Sequence, residues 1–452
     1  MRLFDTRTKS LLEFEPRETG KIGLFVCGPT VYDFSHLGHA KTYVQFDFVA
    51  KFFRAAGFEV KYLQNITDID DKIIVRAAQK GVQTKDLAAE FEKYYCEDMA
   101  ALGVDSVDAY IRATDHIPEI ISQVERLMSK GAAYQVQDGI YFDLKAFARY
   151  GALSGRLDLK EGDAVSRIDE NPEKRNSGDF CLWKFFKPDE PVWEAPFGAG
   201  RPGWHIEDTA ITEKYLGEQY DIHGGAIDLI FPHHEAEIAQ MEMISGKQPL
   251  VKYWMHTGFL TTSKRKMSKS ENNFWTIRDA LKRYDAKELR FLFVGHHYRD
   301  ALELSEDNFS TAANTLQRIH NFARQIDPAL DDAHAEAPCE ACRKEVIDAL
   351  SDDFDSPKAV TAVFELIRNI NKDGLPGRRV KALFDFLDSF FGCLVPSDTA
   401  VPQEVMDLVG QRRTMRMARD FKGSDDLRGR IRGMGFEILD GKEADQVVPI
   451  KR

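Results

Sequence analysis

Two histidines, His36 and His39, follow a short apolar run and stand at the start of a segment with helical spacing. The apolar run ends at Gly28, and apolar residues then recur at three- and four-residue intervals from Gly38 to Gly57. Histidines about one turn apart at a helix N-terminus can donate hydrogen bonds to phosphate oxygens, helped by the helix dipole and free backbone N–H groups. The spacing therefore predicts an anion site, with a pair of capping histidines as the alternative.

Two lysines, Lys266 and Lys269, lie in the polar segment KMSKS at residues 266–270, directly after Lys264 and Arg265. Ammonium groups on a mobile loop can close over a triphosphate and stabilise the charge that grows on a leaving pyrophosphate. Taken alone, such a loop also fits an ordinary solvated surface. Its occurrence downstream of the two histidines favours the triphosphate interpretation.

The elements around these residues predict an α/β fold. Residues 22–28 have the pattern of a buried strand, residues 38–57 that of a helix and residues 58–63 that of a second strand. Such a βαβ unit predicts a parallel sheet with a ligand crevice at the carboxyl ends of its strands. A further strand is expected at residues 220–225, followed by a helix that has Pro232 in its first turn.

Between these two halves the sequence pattern changes. Residues 72–130 are predicted to be helical, and residues 131–203, interrupted by Gly, Pro and aromatic residues, predict an inserted, partly β module. From Asp307 the pattern is nearly all helical, apart from residues 331–341, whose alanines and acids predict a surface loop. The nucleotide-binding fold is therefore predicted to be split by an insertion.

Size and composition predict a multidomain cytoplasmic protein. A chain of 452 residues, 43% of them hydrophobic, suits two to four domains. No apolar run approaches the roughly 20 residues that cross a bilayer, and the first residues do not have the pattern of a signal peptide. Six irregularly spaced cysteines fit a reducing compartment better than a disulfide framework.

Most of the cysteines are expected to have no chemical role. Cys339 and Cys342 have the spacing of half a zinc site or of a redox pair, but without a second pair we interpret them as incidental thiols. Cys96, Cys181 and Cys393 lie beside apolar residues and are predicted to be buried.

The net charge of -12 argues against indiscriminate binding of nucleic acid, because polyanions are bound through lysine and arginine. Residues 411–432 are the exception, with eight basic residues against three acidic ones. This stretch predicts a local RNA contact, and a solvated helix face is the alternative.

The segment with His36 and His39 resembles the HIGH motif of class I aminoacyl-tRNA synthetases, and the segment with Lys266 and Lys269 resembles their KMSKS motif. The resemblance implies that ATP is bound by the matching residues, which are His36, Gly38, His39, Lys266, Ser268 and Lys269. Of these, His36, His39, Lys266 and Lys269 would act in catalysis, by contacting the phosphates and stabilising the transition state of adenylation. The carboxylate of the amino acid would be the nucleophile, and Mg²⁺ would accompany ATP.

Longer segments are similar to motifs of the cysteinyl-tRNA synthetases, and this resemblance covers nearly the whole chain. The segments are residues 25–33, 65–72, 200–207 and 231–235, together with residues 351–357 and the basic tail, which resemble the helical and anticodon-binding regions of that family. The resemblance implies a cysteine–tRNA ligase acting on cysteine, ATP and tRNA(Cys). The matching amino-acid pocket would be lined by Gly28, Thr30, Thr67 and Trp204.

The same resemblance implies a zinc ion that binds the substrate sulfur. Its ligands would be Cys27, His233, Glu237 and, where the family usually has a second cysteine, Asp208. Zinc favours a thiolate over a hydroxyl, so this metal could reject serine without editing. The exchange of sulfur for oxygen at position 208 is expected to leave a weaker but functional site. His223 and His234 are expected nearby, either supporting the metal or as alternative ligands.

The sequence as a whole thus predicts a split Rossmann-like catalytic domain followed by helical and tRNA-binding parts. The predicted limits are residues 1–110 and 201–306 for the two catalytic halves, 111–200 for the insertion, 307–400 for a helical bundle and 401–452 for an anticodon-binding domain. A monomer is expected. Two alternatives stay open: a ligase that joins cysteine to an amino-sugar, as in mycothiol synthesis, and a synthetase paralogue with lost or altered activity.

Overall fold

The computed structural model describes residues 1–156, 171–262, 265–266, 275–397, 402–439 and 446–449. The chain divides into two compact units, Met1–Val395 and Pro396–Arg452. The limits predicted within the first unit, near residues 110, 200 and 306, stay predictions. Among the described residues, every helix is too short or too polar to span a bilayer.

The strands of the described residues are numbered here in chain order. They are β1 (Arg2–Asp5), β2 (Ser10–Glu13), β3 (Lys21–Val26), β4 (Glu59–Ile66), β5 (Ala109–Arg112), β6 (Ala133–Val136), β7 (Gly139–Phe142), β8 (Phe180–Phe185), β9 (Gly200–Pro202), β10 (Tyr220–Ala226), β11 (Val251–Thr257), β12 (Leu260–Thr262), β13 (Arg265–Lys266), β14 (Leu302–Glu303), β15 (Phe436–Leu439) and β16 (Gln446–Pro449).

The α-helices are numbered in the same way. They are α1 (Leu37–Ala55), α2 (Asp71–Lys80), α3 (Thr84–Ala101), α4 (Ile117–Ser129), α5 (Glu207–Leu216), α6 (Glu235–Ser245), α7 (Ile277–Leu281), α8 (Ala286–Val294), α9 (Glu306–Ala323), α10 (Glu336–Leu350), α11 (Ser356–Asp373), α12 (Arg378–Phe391), α13 (Gln403–Met417) and α14 (Phe421–Gly433).

A parallel five-stranded sheet forms the centre of the first unit, in the order β11-β10-β3-β4-β5. Helix α1 connects β3 to β4 and packs closely on the sheet, where a Cβ atom at Gly224 would lie only 2.3 Å from the ring of Phe46. Since β4 and β10 flank β3 on opposite sides, the strand order reverses at β3 and opens a crevice at the carboxyl ends of the strands. The predicted α/β class is confirmed.

The segment between β5 and α5 carries a four-stranded sheet. Strands β6, β7, β8 and β9 form an antiparallel sheet in that order. Its apolar residues, including Ile140 and Trp183, share one core with residues of helices α4 and α6 and with Trp254 of β11. The insertion is therefore packed against the carboxyl half of the catalytic fold.

A buried arginine ties the helices that follow to the sheet. Arg290 of α8, 1% exposed, contacts Asp47 of α1 with its Nη2 atom 2.5 Å from Asp47 Oδ2. Its Nε atom also donates to the backbone oxygen of Phe391, at the end of α12, at 2.6 Å. One guanidinium thus joins α1, α8 and α12.

The second unit has its own small core. Helices α13 and α14 lie beside the antiparallel hairpin β15–β16. Their buried apolar residues are Val405, Leu408, Val409, Leu427, Ile431 and Ile438.

Two local expectations were wrong. Residues 72–130 are not all helical, because residues 109–112 form β5, which pairs with β4 at the edge of the sheet. Residues 331–341 are not a loop, since α10 begins at Glu336. This region is ordered by Asp332, whose buried carboxylate accepts hydrogen bonds from the backbone N–H groups of Gly377, Arg379 and Val380.

The helix expected to have Pro232 in its first turn is present. Phe231 alone has extended backbone angles in the turn Ile230–His234, and the helical residues that follow it, beginning with Pro232, run directly into α6 at Glu235. The irregular turn places His233 one helical turn before Glu237, so the predicted pair still faces the same side.

Candidate active site

A cavity of about 480 Å³ lies at the carboxyl ends of the central strands. It is lined by residues that follow β3, β4, β10 and β11, and by the N-terminal turn of α1. The predicted site residues that line it are Cys27, Gly28, Thr30, His36, Gly38, His39, Thr67, Trp204, Asp208 and His233. The fold therefore brings together residues from both halves of the split domain.

The two histidines of the first motif stand at the rim of this cavity. His36 is the N-cap residue of α1, and its Nδ1 atom accepts a hydrogen bond from the backbone N–H of His39 at 3.3 Å. The two imidazole rings are stacked, with centroids 3.9 Å apart. His36 thus both caps α1 and lines the pocket. The anion-site interpretation and the capping interpretation of the sequence are therefore compatible.

The loop after β3 is pressed against the end of β4. Gly28 N donates to Asn65 Oδ1 at 2.5 Å, and a Cβ atom at Gly28 would lie 1.7 Å from the backbone oxygen of Asn65. Thr30 and Thr67 pair as a parallel β-bridge. Only glycine fits at position 28. The close approach of the loop after β3 to the end of β4 brings the predicted amino-acid pocket to the mouth of the cavity.

The four predicted metal ligands meet at the inner end of the cavity. Asp208 Oδ2 lies 3.0 Å from Cys27 Sγ and 3.1 Å from His233 Nε2, and Glu237 Oε1 lies 3.2 Å from His233 Nε2. All four side chains are buried. Since the four donor atoms lie within 4.8 Å of one another, this cluster could hold a metal ion.

Two further histidines approach the same sulfur. The Nε2 atoms of His234 and His223 lie 3.2 Å and 3.4 Å from Cys27 Sγ. Together with Cys27 and Glu237 they form a second group of four donors that could hold a metal ion. The position of both histidines near the predicted metal site agrees with what the sequence implied.

Burial controls the ionisation of this cluster. Burial raises the pKa of the Cys27 thiol, and the carboxylates of Asp208 and Glu237 raise it further. Burial and then Asp208 raise the pKa of Glu237, while burial lowers the pKa of His223 and His234. Two carboxylate oxygens of the cluster, Asp208 Oδ1 and Glu237 Oε2, accept no hydrogen bond from the described residues. Such a set of soft and acidic donors is suited to a cation.

The structure adds residues to which the sequence assigned no role. Glu207 is buried beside Asp208 and accepts a hydrogen bond from Thr67 Oγ1, and burial together with Asp208 raises its pKa. His205 Nδ1 lies 2.8 Å from His233 Nδ1 and so orients that ring. The two adjacent acids at the start of α5 were a visible signal for Glu207. His205 gave no such signal, because its contact with His233 spans 28 positions in the chain.

The second motif is only partly covered by the structure. Ser268 and Lys269 lie outside the described residues, so their predicted contacts with ATP stay predictions. The backbone of Lys266 belongs to β13, which pairs with β12, and Leu260 of β12 lines the cavity. The hairpin that carries the start of the motif therefore begins at the wall of the pocket.

The other cysteines lie outside this cluster. Cys339 and Cys342 are buried on α10, where burial raises the pKa of their thiols to about 11 and about 12. Burial keeps these thiols protonated, which fits their interpretation as incidental.

Comparisons with known proteins agree with this geometry. The family model described as "tRNA synthetases class I (C) catalytic domain" matches residues 13–314, and that of the DALR domain matches residues 345–392. The cysteine–tRNA ligase of Thermoplasma acidophilum is 43% identical, over 97% of this chain and 98% of that relative. The cysteine–tRNA ligase of Thermococcus onnurineus is 42% identical, over 97% of both chains.

Solved structures show the same fold at low identity. The methionyl-tRNA synthetase of Mycobacterium tuberculosis in complex with methionyl-adenylate superposes with a TM-score of 0.60 at 17% identity, covering 88% of this chain and 95% of that chain. The leucyl enzyme of Agrobacterium radiobacter K84, in a ternary complex with tRNA, superposes with a TM-score of 0.61 at 10% identity, covering 84% and 85% of the two chains. With relatives above 40% identity along almost the whole length, the chain belongs to the cysteine–tRNA ligase family of the class I tRNA synthetases.

Proposed function

We propose that this protein activates cysteine with ATP and transfers it to tRNA(Cys). The observation that carries the proposal is the single cavity in which the histidines of the first motif face a buried cluster of sulfur, imidazole and carboxylate donors. The histidine end of such a cavity suits a triphosphate, and the donor end suits a thiol-bearing substrate bound through a metal ion.

His36 and His39 hold the phosphates of ATP at the N-terminus of α1. The free N–H groups of the first helical turn and the positive end of the helix dipole add to the attraction for anions. Lys266 and Lys269 complete the phosphate site from the second motif, with Ser268 beside them. Their ammonium groups stabilise the charge that develops on the pyrophosphate as the cysteine carboxylate attacks the α-phosphate.

The residues at the inner end of the cavity fit a zinc ion. Three of the distances between donor atoms are 3.0, 3.1 and 3.2 Å. Ligands with zinc bonds of about 2.0 to 2.3 Å are expected to lie about 3.3 Å or more apart, which is close to these distances. Cys27, Asp208, His233 and Glu237 would hold the ion, and the unused oxygens of Asp208 and Glu237 agree with a role as ligands. When bound, zinc supplies a soft Lewis acid that prefers the thiolate of cysteine to the hydroxyl of serine.

The remaining pocket residues position the amino acid. The indole of Trp204 stacks on the His233 ring at a centroid distance of 4.4 Å, which closes one side of the pocket. Gly28, Thr30 and Thr67 form the other side through the contact between the β3 and β4 loops. These contacts limit the room for side chains larger than that of cysteine.

The second unit supplies a surface for tRNA. Around the turn between α13 and α14, Met417 and Phe421 are 81% and 63% exposed. Exposed basic residues accompany them, namely Arg416 on α13, Arg419 in the turn and Lys422 on α14. An exposed aromatic ring among cationic side chains is suited to stack on an unpaired base while the cations contact phosphates.

Three further features belong to the same proposal. Magnesium accompanies ATP as its counter-ion, and the acting unit is a single chain in the cytoplasm. All six cysteines are free thiols, which supports a reducing compartment. The similarity to cysteine–tRNA ligases extends over 97% of the chain and so includes the basic stretch, which favours tRNA over an amino-sugar as the acceptor.

The test is pyrophosphate exchange with cysteine and with serine, run beside quantification of zinc in protein purified without chelators. We expect exchange with cysteine, little with serine, and zinc at about one equivalent. The variant Lys269→Ala should strongly slow exchange while leaving tRNA affinity largely unchanged. Exchange at the wild-type rate in this variant would contradict the role given to Lys269. Activity in protein that contains no zinc would contradict the role given to the zinc ion.

A further inference from the structure

The chain that leaves the second motif is attached to the start of helix α1. Residues 267–274 lie outside the described residues, and the description resumes at Trp275. Thr276 pairs with His36, the N-cap residue of α1, in an antiparallel β-bridge. Beside this bridge, the backbone N–H of Leu37 donates to the backbone oxygen of Trp275 at 3.0 Å. The first motif and the residues that follow the second motif are therefore joined through their backbones.

Arg278, two positions after this bridge, fixes the same part of the chain to helix α3. Its guanidinium lies 2.6 Å from Glu97 Oε2 and 3.0 Å from Oδ1 of the buried Asp98. It also lies over the rings of Tyr94 and Phe34, at 4.5 and 5.6 Å from their centroids. Two carboxylates and two aromatic rings hold a planar guanidinium in one orientation. Arg278 therefore secures the bridge beside the first motif.

Lys41 of α1 makes the corresponding attachment before the second motif. Its side chain is 1% exposed, and its ammonium donates to the backbone oxygens of Gly258 and Tyr298 at 2.9 and 3.0 Å and to Gln45 Oε1 at 3.2 Å. The three N–H groups of an ammonium are thus matched by three acceptors. Gly258 lies between β11 and β12, and β12 pairs with β13, in which the second motif begins.

Neither Lys41 nor Arg278 is among the described residues that line the cavity. Any effect of these two residues on ATP must therefore pass through the parts of the chain that they hold. The lysines of the second motif have to reach phosphates that are bound at the start of α1, so their reach depends on where both ends of their segment are fixed. A displacement of about 1 Å can slow a reaction by about 100-fold even when its cause lies far from the reacting atoms.

We propose that Arg278 and Lys41 are positioning residues for adenylate formation, which hold the two ends of the second motif in place beside the first turn of α1. The inference rests on the proposed function, because it requires the lysines of the second motif to act on ATP. It assigns neither residue a contact with a substrate.

The variants Arg278→Met and Lys41→Met test the two attachments by pyrophosphate exchange and by a single turnover of adenylate formation. We expect kcat to fall by about 10- to 100-fold while KM for cysteine stays within about twofold of wild type, because the amino-acid end of the cavity is untouched. A single turnover separates the rate of the step from the fraction of active protein. A lower active fraction at the wild-type rate would indicate a merely structural role and would overturn the proposal for that residue, as would a wild-type kcat.

Matched controls lie on the same two helices. Arg112→Met breaks the ion pair of Arg112 with Glu92 of α3, and Lys51→Met removes the contact of Lys51 with Asp47 within α1. Both controls should form the adenylate at the wild-type rate, and losses in them equal to those of the test variants would overturn the proposal. Should Lys41→Met fail to fold, Lys41→Gln, whose amide keeps two N–H donors, is measured in its place.

A partner of Arg278 gives an independent test. Asp98→Asn removes one of its two carboxylate partners and should slow adenylate formation in the same way. The double variant Arg278→Met/Asp98→Asn should be no slower than Arg278→Met, because both changes remove the same contact. Additive losses would overturn the role given to this pair.

Lys269→Ala, measured in parallel, separates this inference from the proposed function. A wild-type rate in Lys269→Ala would contradict the proposed action of the second motif on ATP. A slow Lys269→Ala together with wild-type rates in Arg278→Met and Lys41→Met would overturn only the positioning role.

Discussion

Asp208 Oδ2 lies 3.0 Å from Cys27 Sγ although 181 positions separate the two residues in the chain. The contact joins the end of β3 in the first half of the catalytic fold to the first turn of α5 in the second half. The buried Asp208 carboxylate thereby lies within hydrogen-bond distance of both the Cys27 thiol and the His233 imidazole. The insertion between the two halves does not disturb this contact, because the parallel sheet holds their carboxyl ends side by side.

Removing the shared sulfur should remove the metal. Cys27 belongs to both groups of donors, so Cys27→Ala should lose bound zinc and the preference for cysteine over serine in pyrophosphate exchange. Zinc analysis and exchange rates measure the two effects. Cys181→Ala is the control, since Cys181 is also a buried free thiol but lies in β8 of the insertion. Retention of a full equivalent of zinc by Cys27→Ala would contradict the proposed ligand set.

Adding a single methyl group at Gly28 should disable the pocket. A Cβ atom there would lie 1.7 Å from the backbone oxygen of Asn65, so the loop after β3 must move away from β4. Displacement of the pocket by about 1 Å is expected to slow adenylate formation by about 100-fold. Gly410→Ala on α13, where a Cβ atom meets open space, should leave the rate unchanged. Equal rates for the two variants would show that the close approach has no role in activity.

Lys41 should make stability depend on pH. Burial lowers the pKa of Lys41 to about 7, and its ammonium donates to the backbone oxygens of Gly258 and Tyr298 at 2.9 and 3.0 Å. Above about pH 7 the folded protein releases a proton that the unfolded chain keeps up to about pH 10.5. The free energy of unfolding from this group therefore rises with pH in that window, by at most about 1.4 kcal/mol per pH unit.

The variant Lys41→Met removes this titration. Thermal unfolding at pH 6 to 9 should show wild type gaining on Lys41→Met as the pH rises above about 7. Lys51→Met, on the same helix, is the control, since the Lys51 ammonium contacts Asp47 and Asp105 at 2.9 and 2.6 Å. A constant difference between Lys41→Met and wild type across this range would refute the expectation.

Removing Arg290 should cost the first unit much of its stability. Its guanidinium is buried against Asp47 and the end of α12, so Arg290→Leu leaves a buried carboxylate with fewer positive neighbours. We expect a loss of about 3–5 kcal/mol in the free energy of unfolding, measured by urea denaturation. Lys344→Met breaks the exposed pair with Asp348 and should cost less than about 0.5 kcal/mol. Similar losses in both variants would contradict the role given to the buried contact.

Phe421 should contribute to tRNA binding but not to activation. Phe421→Ala should weaken tRNA affinity by about 1–3 kcal/mol, the range for one stacked base, while pyrophosphate exchange without tRNA stays at the wild-type rate. Leu375→Ala, at an apolar residue 53% exposed between α11 and α12, is the control for loss of surface area. Unchanged tRNA affinity in Phe421→Ala would argue against stacking at this turn.

Local patterns were sufficient for the main elements of the fold. The apolar run before Gly28 and the helical spacing after Gly38 correspond to β3 and α1. The punctuated segment between the two halves corresponds to the antiparallel sheet of the insertion. Local patterns failed to predict an element where it is short or is stabilised by residues far away in the chain. Strand β5 has four residues and is defined by pairing with β4, and α10 is ordered by hydrogen bonds between Asp332 and the start of α12.

The sequence by itself determined the family, the α/β class and the residues from which the pocket is built, because motif residues and periodicity are local properties of the chain. The tertiary structure alone decided how these residues meet. That Cys27 is approached both by Asp208 with His233 and by His223 with His234 follows from the packing of β3, β10, the start of α5 and the turn before α6 around one sulfur. Such contacts depend on the directions of side chains far apart in the chain, which no local pattern specifies.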